Sequence, residues 1–289
     1  MEIFKQIAPL KAFLGTVRRQ GKTIGLVPTM GALHAGHLSL IGASKEQNDI
    51  TISSIYVNPT QFNNAIDLEK YPRILNTDTK LLQEVRCDAL FCPDDQEMYP
   101  DKSVLKLDFG DLDKVMEGKF RPGHFSGVAL IVSKLFNIIQ PDNAYFGQKD
   151  WQQFAVISRL VDELKFGVSL HSVNTLRERD GLALSSRNLR LTPDQRSQAG
   201  VFYRALVEAR EMLLRQQPID AVKSRVKATV ESERDVRLEY FELANSRNLK
   251  LLSNVSATDQ PIMCIAGYVG EIRLIDNMFI HPNDNGNNS

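Results

Sequence analysis

Residues 28–37 read Pro-Thr-Met-Gly-Ala-Leu-His-Ala-Gly-His, and the run before them, Thr23-Ile24-Gly25-Leu26-Val27, has the length and β-branched character of a buried strand. His34 and His37 therefore fall where a strand has ended and a helix begins, with Gly31 and Gly36 letting backbone N–H groups come close to a ligand. Exposed N–H groups at the positive end of a helix dipole suit a polyphosphate. Zinc is a rival, because histidines at helical spacing can ligate it; a third ligand would have to be His124 or a cysteine, and no H-E-x-x-H pattern is present. A hydrogen-bonded structural pair is the other rival. Phosphate binding is the expectation.

Three further groups offer matching chemistry. Ser185-Ser186-Arg187 brings two hydroxyls and a guanidinium that can fork onto phosphate oxygens. In Gly147-Gln148-Lys149-Asp150 the lysine is a point charge for phosphate, and the aspartate can accept from a ribose or cap a helix. Lys119-Phe120-Arg121-Pro122-Gly123-His124-Phe125 adds more cations in a shaped loop. Taken singly, each would pass for a solvated turn or a plain helix start. A Walker-like stretch, Gly15 to Thr23, is discarded: five residues separate its glycines instead of four, and it ends a helix before a strand. No G-x-G-x-x-G fingerprint appears.

The elements around these groups decide what they mean. Helical and strand periods alternate over the first 185 or so residues, the pattern of β-α units in a parallel sheet. Leu10, Phe13, Leu14 and Val17 form a helical stripe closed by Gly21; strands are expected at 23–27, 50–57, 89–92, 144–146 and 168–173, and helices at about 36–45, 77–85, 127–139 and 150–164. Strand ends then precede Pro28, Asn58, Gly147 and Asn174, and in an open parallel sheet ligands sit beyond the carboxyl ends of the strands. Convergence on that one edge raises all four groups together. Thr192-Pro193 opens a long helix carrying Val201, Leu206 and Leu213; a second helix covers 219–232, and strands at 236–243, 262–266 and 271–280 make a small sheet. The expectation is an α/β fold, a Rossmann-like doubly wound parallel sheet over 1–187 with a smaller α+β domain over 188–289, the tail 283–289 being disordered.

Bulk properties narrow the partners. Lysine plus arginine number 35 and aspartate plus glutamate 35 in 289 residues, so no global field draws in nucleic acid or an anionic membrane. The N-terminus lacks a secretory signal, and nowhere do roughly 18 apolar residues run together. A cytoplasmic protein with small-molecule substrates is expected. Cys87, Cys92 and Cys264 read as buried reduced thiols.

His34-Ala35-Gly36-His37 with Leu184-Ser185-Ser186-Arg187 resembles the paired signature of the HxGH-containing class I synthetase and nucleotidylyltransferase superfamily, whose members activate carboxylates or phosphates with ATP. Within it, Pro28 to His34, Val57-Asn58-Pro59-Thr60-Gln61-Phe62, Tyr71-Pro72-Arg73, Arg121 to Phe125, Phe146 to Asp150 and Asp180 to Asn188 resemble the pantoate–β-alanine ligase (pantothenate synthetase) family. The match returns at Arg273-Leu274-Ile275-Asp276-Asn277. The resemblance implies ATP-dependent condensation of pantoate with β-alanine through an enzyme-bound pantoyl adenylate, releasing pyrophosphate and then AMP. It implies that His34 and His37 stabilise the phosphates in the transition state while Lys149, Ser185, Ser186 and Arg187 hold the triphosphate. Met30, Gly31, Gly36, Gly147, Asp150, Leu176 and Leu184 complete the ATP contacts. Gln61 and Gln153, assisted by Asn58, match the pantoate site; Arg121 and His124 belong to a loop that covers it with the C-terminal domain. Mg²⁺ would bridge the phosphates, with Asp78 a carboxylate near it, and a homodimer is implied. Gln148 stands where the family often has glutamate, Ala35 where it often has glutamate or aspartate, and Trp151 replaces a smaller aromatic. An adenylyltransferase acting on phosphopantetheine or nicotinate mononucleotide would need a second phosphate pocket where Asn58, Gln61 and Gln153 suit a neutral polyol end. A nucleotide sensor would keep the ATP contacts without turnover, against which both histidines and Lys149 speak.

Overall fold

Ile24, Gly25, Leu26 and Val27 are all buried, as a strand covered on both faces must be. The computed structural model, which describes residues 1–255 and 260–281, makes them the axis of the larger sheet. The tail from Asn283, expected to be disordered, lies outside the described residues. In chain order the elements are β1 (Glu2–Phe4), α1 (Ile7–Arg19), β2 (Ile24–Thr29), α2 (Ala35–Gln47), β3 (Ile50–Ile55), α3 (Ala65–Glu69), α4 (Leu75–Glu84), β4 (Ala89–Phe91), α5 (Asp95–Met98), α6 (Met116–Phe120), α7 (His124–Ile139), β5 (Asn143–Gly147), α8 (Trp151–Leu164) and β6 (Ser169–Val173). The remainder is α9 (Pro193–Ala199), α10 (Val201–Leu214), α11 (Ile219–Val230), β7 (Val236–Asn245), β8 (Pro261–Val269) and β9 (Ile272–Phe279).

The first six strands form one parallel sheet in the order β1-β4-β3-β2-β5-β6. From β2 the chain winds outward through β3 to β4, then returns to add β5 and β6 on the other side. This is the doubly wound sheet expected, and its switch point lies between the carboxyl ends of β2 and β5. Helices cover both faces: Leu10 and Leu14 of α1 pack with Val132, Phe136 and Ile139 of α7 against Ile24, Leu26 and Ile52. On the opposite face, Leu40 and Ile41 of α2 and Leu82 of α4 meet Val27, Leu90 and Tyr145.

The small sheet is antiparallel, β7-β8-β9. Phe202 and Leu206 of α10 and Val222 and Val226 of α11 bury one of its faces against Phe241, Leu243, Met263 and Ile265. Its other face presses Tyr240, Ala244, Ile262 and Cys264 onto Trp151, Ala155 and Val156 of α8. Because α8 follows the Gly147–Asp150 turn directly, this packing brings β9 up to the carboxyl edge of the large sheet.

Departures from expectation are local. β1 is three residues with only Phe4 partly buried, too short to show a period. The single long helix expected after Thr192 is two helices parted at Gly200, where a Cβ would stand 3.0 Å from Asp180 Oδ2. Thr192 does cap the first of them, its hydroxyl accepting from Gln195 N, with proline in the first turn. Cys87, Cys92 and Cys264 are free and buried, and burial pushes the Cys87 thiol up to about 11. Among the described residues no helix is long and apolar enough to cross a membrane.

Candidate active site

β2 ends at Thr29, and the chain must reverse within five residues to enter α2. Gly31, at φ +81°, takes a conformation that favours glycine, and Ala32 follows at φ +50°. Asp78 of α4 holds that turn: its two oxygens accept from Ala32 N at 2.9 Å and Leu33 N at 2.8 Å, and the residue is 1% exposed. The carboxylate expected beside a metal is therefore beneath the loop, occupied by main-chain donors, and neither it nor Gly31 lines the cavity that the other residues form. Asp78→Ala leaves two buried N–H groups without acceptors and is expected to cost about 1–3 kcal/mol of stability. Urea denaturation checks this, and an unchanged midpoint would return Asp78 to consideration as a metal ligand.

His34 is the N-cap of α2. Its Nδ1 accepts from Gly36 N at 3.1 Å, while His34 N donates to His37 Nδ1 at 3.4 Å. Ring centroids lie 4.1 Å apart. With both Nδ1 atoms accepting, the neutral rings carry their hydrogens on Nε2. Desolvation lowers the His34 pKa to about 4 with help from Lys149, and that of His37 to about 3 with help from His34 and Lys149. Near neutral pH the pair offers two N–H donors and no charge.

The serine-serine-arginine stretch reaches this turn directly, for Ser186 Oγ donates to Ala32 O at 2.9 Å across 154 residues of chain. It arrives on a hairpin in which Arg177 pairs with Ala183 and Leu184 N donates to Leu176 O at 3.0 Å. Ser185 caps the following turn, its Oγ accepting from Arg187 N at 3.3 Å. Arg187 and Arg190 both reach Asp67 of α3, each at 2.9 Å. Nothing in the sequence singles out Asp67. At the end of β5, Gln148–Asp150 forms a 3-10 turn, and Lys149 Nζ lies 3.5 Å from Asp150 Oδ1. The cavity at the switch point is lined by Met30, His34, Gly36 and His37 from the first loop and by Gly147, Lys149 and Asp150 from the second. Leu176, Leu184, Ser185, Ser186 and Arg187 line it from the third.

Asn58, Gln61, Gln153, Arg121 and His124 line the same cavity, but in unequal ways. Gln61 is 7% exposed; its Oε1 accepts from Asn58 Nδ2 at 3.1 Å and its Nε2 lies 3.0 Å from Met30 Sδ. Asn58, at 1% exposed, stands behind it, also donating to Gly127 O and accepting from Thr60 and Tyr99 hydroxyls. His124 donates from Nδ1 to Gln61 O at 2.8 Å, and burial lowers its pKa to about 3, so it is a neutral prop for Gln61. Arg121 supplies the charge of that loop, 3.6 Å from Glu117. Val128, Ile131, Val132 and Leu135 of α7 give this end an apolar wall, a stripe that by spacing alone reads as core. The Thr175 hydroxyl also belongs to a lining residue and, among the described residues, is buried without a partner.

One buried cluster beside the cavity has no local sequence signal. Glu117 of α6 accepts from Arg273 of β9 at 2.6 and 2.8 Å and from Tyr240 at 2.9 Å, and Arg273 also donates to Glu239. Burial opposes the Glu117 charge, yet the hydrogen bonds and charge of Arg273, with Arg121 beyond, hold its carboxyl at about 2. Gln152, next to the expected Gln153, accepts from Glu117 N at 2.9 Å and donates to Leu112 and Val115 carbonyls.

The cavity thus has two chemical ends. One gathers N–H donors, an ammonium and a guanidinium, as a polyphosphate requires; the other joins amides to aliphatic side chains, as a small molecule with hydroxyl and methyl groups requires.

The family model described as pantoate-beta-alanine ligase matches residues 2–279. A pantothenate synthetase of Porphyromonas gingivalis strain W83 is 47% identical over 278 residues, covering 96% of this chain and 99% of that protein. The crystal structure of a pantothenate synthetase from Thermus thermophilus superposes with a TM-score of 0.91 at 40% identity, covering 98% of this chain and 100% of that one. A pantoate-beta-alanine ligase from Francisella tularensis, complexed with beta-gamma ATP and beta-alanine, gives a TM-score of 0.81 at 34% identity over 98% of this chain and 99% of its own.

Proposed function

The chain belongs to the pantoate–β-alanine ligase family, and from that premise we propose that it joins pantoate to β-alanine through an enzyme-bound pantoyl adenylate. The observation that carries the proposal is the Ser186–Ala32 bond, which sets the two phosphate loops against each other within one cavity whose far end pairs Gln61 with an aliphatic wall.

In the first step a pantoate carboxylate oxygen bonds to the α-phosphorus of ATP and pyrophosphate leaves. One anion must approach another, so the rate depends on donors aimed at the phosphates: the Nε2–H groups of His34 and His37, the α2 N-terminus, Lys149, and Arg187 once it exchanges Asp67 for phosphate. Gln61 and Gln153 would meet the pantoate hydroxyls, and Val128, Ile131, Val132 and Leu135 its geminal methyls. Among the described residues no three His, Cys, Asp or Glu side chains gather as a metal site; Mg²⁺ would arrive with the triphosphate. It would supply charge withdrawal from the phosphate oxygens. In the second step the β-alanine amine bonds to the acyl carbon, AMP departs with the bonding pair, and the amine loses its proton. Nearness to the trapped anhydride replaces much of what a base would do. Residues from 188 onward and the Arg121–His124 loop would keep water from that anhydride. The working form would be a cytoplasmic homodimer, which light scattering on the purified protein tests.

With ATP and Mg²⁺ present, pyrophosphate should appear only when pantoate is added, and AMP only when β-alanine follows. Pyrophosphate release that ignores pantoate would overturn the substrate assignment and favour an adenylyltransferase; no release at all would favour a sensor. Gln61→Ala should raise the KM for pantoate by about tenfold with little change in kcat, the mark of binding shared by ground and transition states. Movement of the ATP KM instead would place Gln61 elsewhere.

A further inference from the structure

Asp276 and Asn277 are neighbours on β9, 5% and 2% exposed, and together they hold both loops that arrive from the far half of the large sheet. Asn277 Nδ2 donates to two consecutive main-chain carbonyls, Gln148 O at 2.8 Å and Lys149 O at 2.7 Å. Asp276 takes both arms of Arg177, at 2.5 and 3.0 Å, and also accepts from Asn277 N at 2.8 Å. Arg177 in turn donates to Gly181 O at 3.0 Å, closing the hairpin that delivers Ser185 and Ser186, and to Asn277 O at 3.2 Å. The Lys149 turn and the serine hairpin are thus referred to one dipeptide of the small sheet. Neither loop gets this reference from its own strand.

We infer that Asn277, held in place by Asp276 and Arg177, is a positioning residue that orients Lys149 toward the phosphates of ATP. The inference deepens the proposed function and rests on its assignment of Lys149 to the triphosphate. A side-chain amide that bridges the carbonyls of residues 148 and 149 sets two peptide planes, and with them the direction in which the Lys149 side chain leaves the backbone. Charge stabilisation of a transferring phosphoryl group depends steeply on that direction, since misplacement by about 1 Å can cost on the order of 100-fold.

The test is a double-mutant cycle on pantoate-dependent pyrophosphate release, with Lys149→Ala, Asn277→Ala and the pair together. Asn277→Ala should slow release about 10- to 100-fold with the KM for pantoate unchanged, and the double variant should be no slower than Lys149→Ala alone. AMP, which lacks the β- and γ-phosphates that leave as pyrophosphate, should bind Asn277→Ala as it binds the parent, whereas ATP binding weakens. Asn277→Ser, which keeps one donor, should recover part of the rate; it also carries the cycle should the alanine variant fold poorly. A slow Lys149→Ala whose defect multiplies with that of Asn277→Ala overturns the inference alone. So does a loss of AMP and ATP affinity in equal measure, which a merely structural role would produce. Lys149→Ala at the parental rate overturns the phosphate assignment from which the inference starts.

Discussion

Replacing His37 by alanine should slow pantoate-dependent pyrophosphate release by about two to four orders of magnitude while ATP affinity falls much less, the range for removing a donor aimed at developing charge. The direction of the effect follows from the cap. His37 Nδ1 accepts from the His34 main chain, so the ring presents Nε2–H to the cavity. His37→Gln, which can place an amide N–H near the same point, should recover part of the loss. The pH dependence separates this role from that of a fixed cation. Desolvation puts the unliganded His37 at about 3 and His34 at about 4, so both are neutral well above those values. kcat/KM for ATP, which reports ionisations of the free enzyme, should show no histidine break between about pH 6 and 8. Bound triphosphate brings negative charge beside the rings and raises their pKa, so a break belongs in the kcat profile. A parental rate in His37→Ala would remove the ring from the mechanism; a break near 6.5 in kcat/KM that vanishes in that variant would show a cationic imidazole in the free enzyme.

The same residues show what a sequence reveals and what it hides. The strand of residues 24–27 and the capped helix after it are local: burial on both faces suppresses polar alternation, and the return of a helical period after Gly31 marks the turn. The histidines, Lys149 and the serine pair were legible because each sits where one period stops and another starts. Asp67 was not, because its partners Arg187 and Arg190 lie more than a hundred residues away and a charge at that separation leaves no local pattern. The place of Asp78 beneath the loop is hidden for a related reason: its partners are main-chain N–H groups of residues 32 and 33, and every residue but proline has such a group. The α7 wall was hidden differently, since a stripe facing a cavity and a stripe facing a core have the same spacing. Gly200 parts a good helical pattern at a point where a Cβ would stand 3.0 Å from Asp180 Oδ2, a crowding from twenty residues away that the helical period does not carry.

Arg273→Ala should be the most destabilising single change outside the apolar core. It strands Glu117 and Glu239, whose side chains are only 9% and 10% exposed, and an unpaired buried charge costs about 3–5 kcal/mol. The pH dependence has a definite sign. Glu117 titrates at about 2 in the folded protein against an ordinary 4.5, so its contribution is fully present above about 4.5 and is lost as pH falls toward 2. The gap corresponds to on the order of 3 kcal/mol. In Arg273→Ala the carboxyl loses its cation and titrates upward instead, so acid relieves the variant while it weakens the parent. Urea midpoints of the two proteins should therefore lie far apart at pH 7 and converge as the pH is lowered. Arg273→Lys keeps a charge but not the fork that serves both carboxylates, and should fall between them. Equal stability of parent and alanine variant at pH 7 would mean that Tyr240 and Arg121 suffice to hold Glu117. In that event β9 would tie α6 to the small sheet through packing alone, and Arg121 would depend on Glu117 without depending on Arg273.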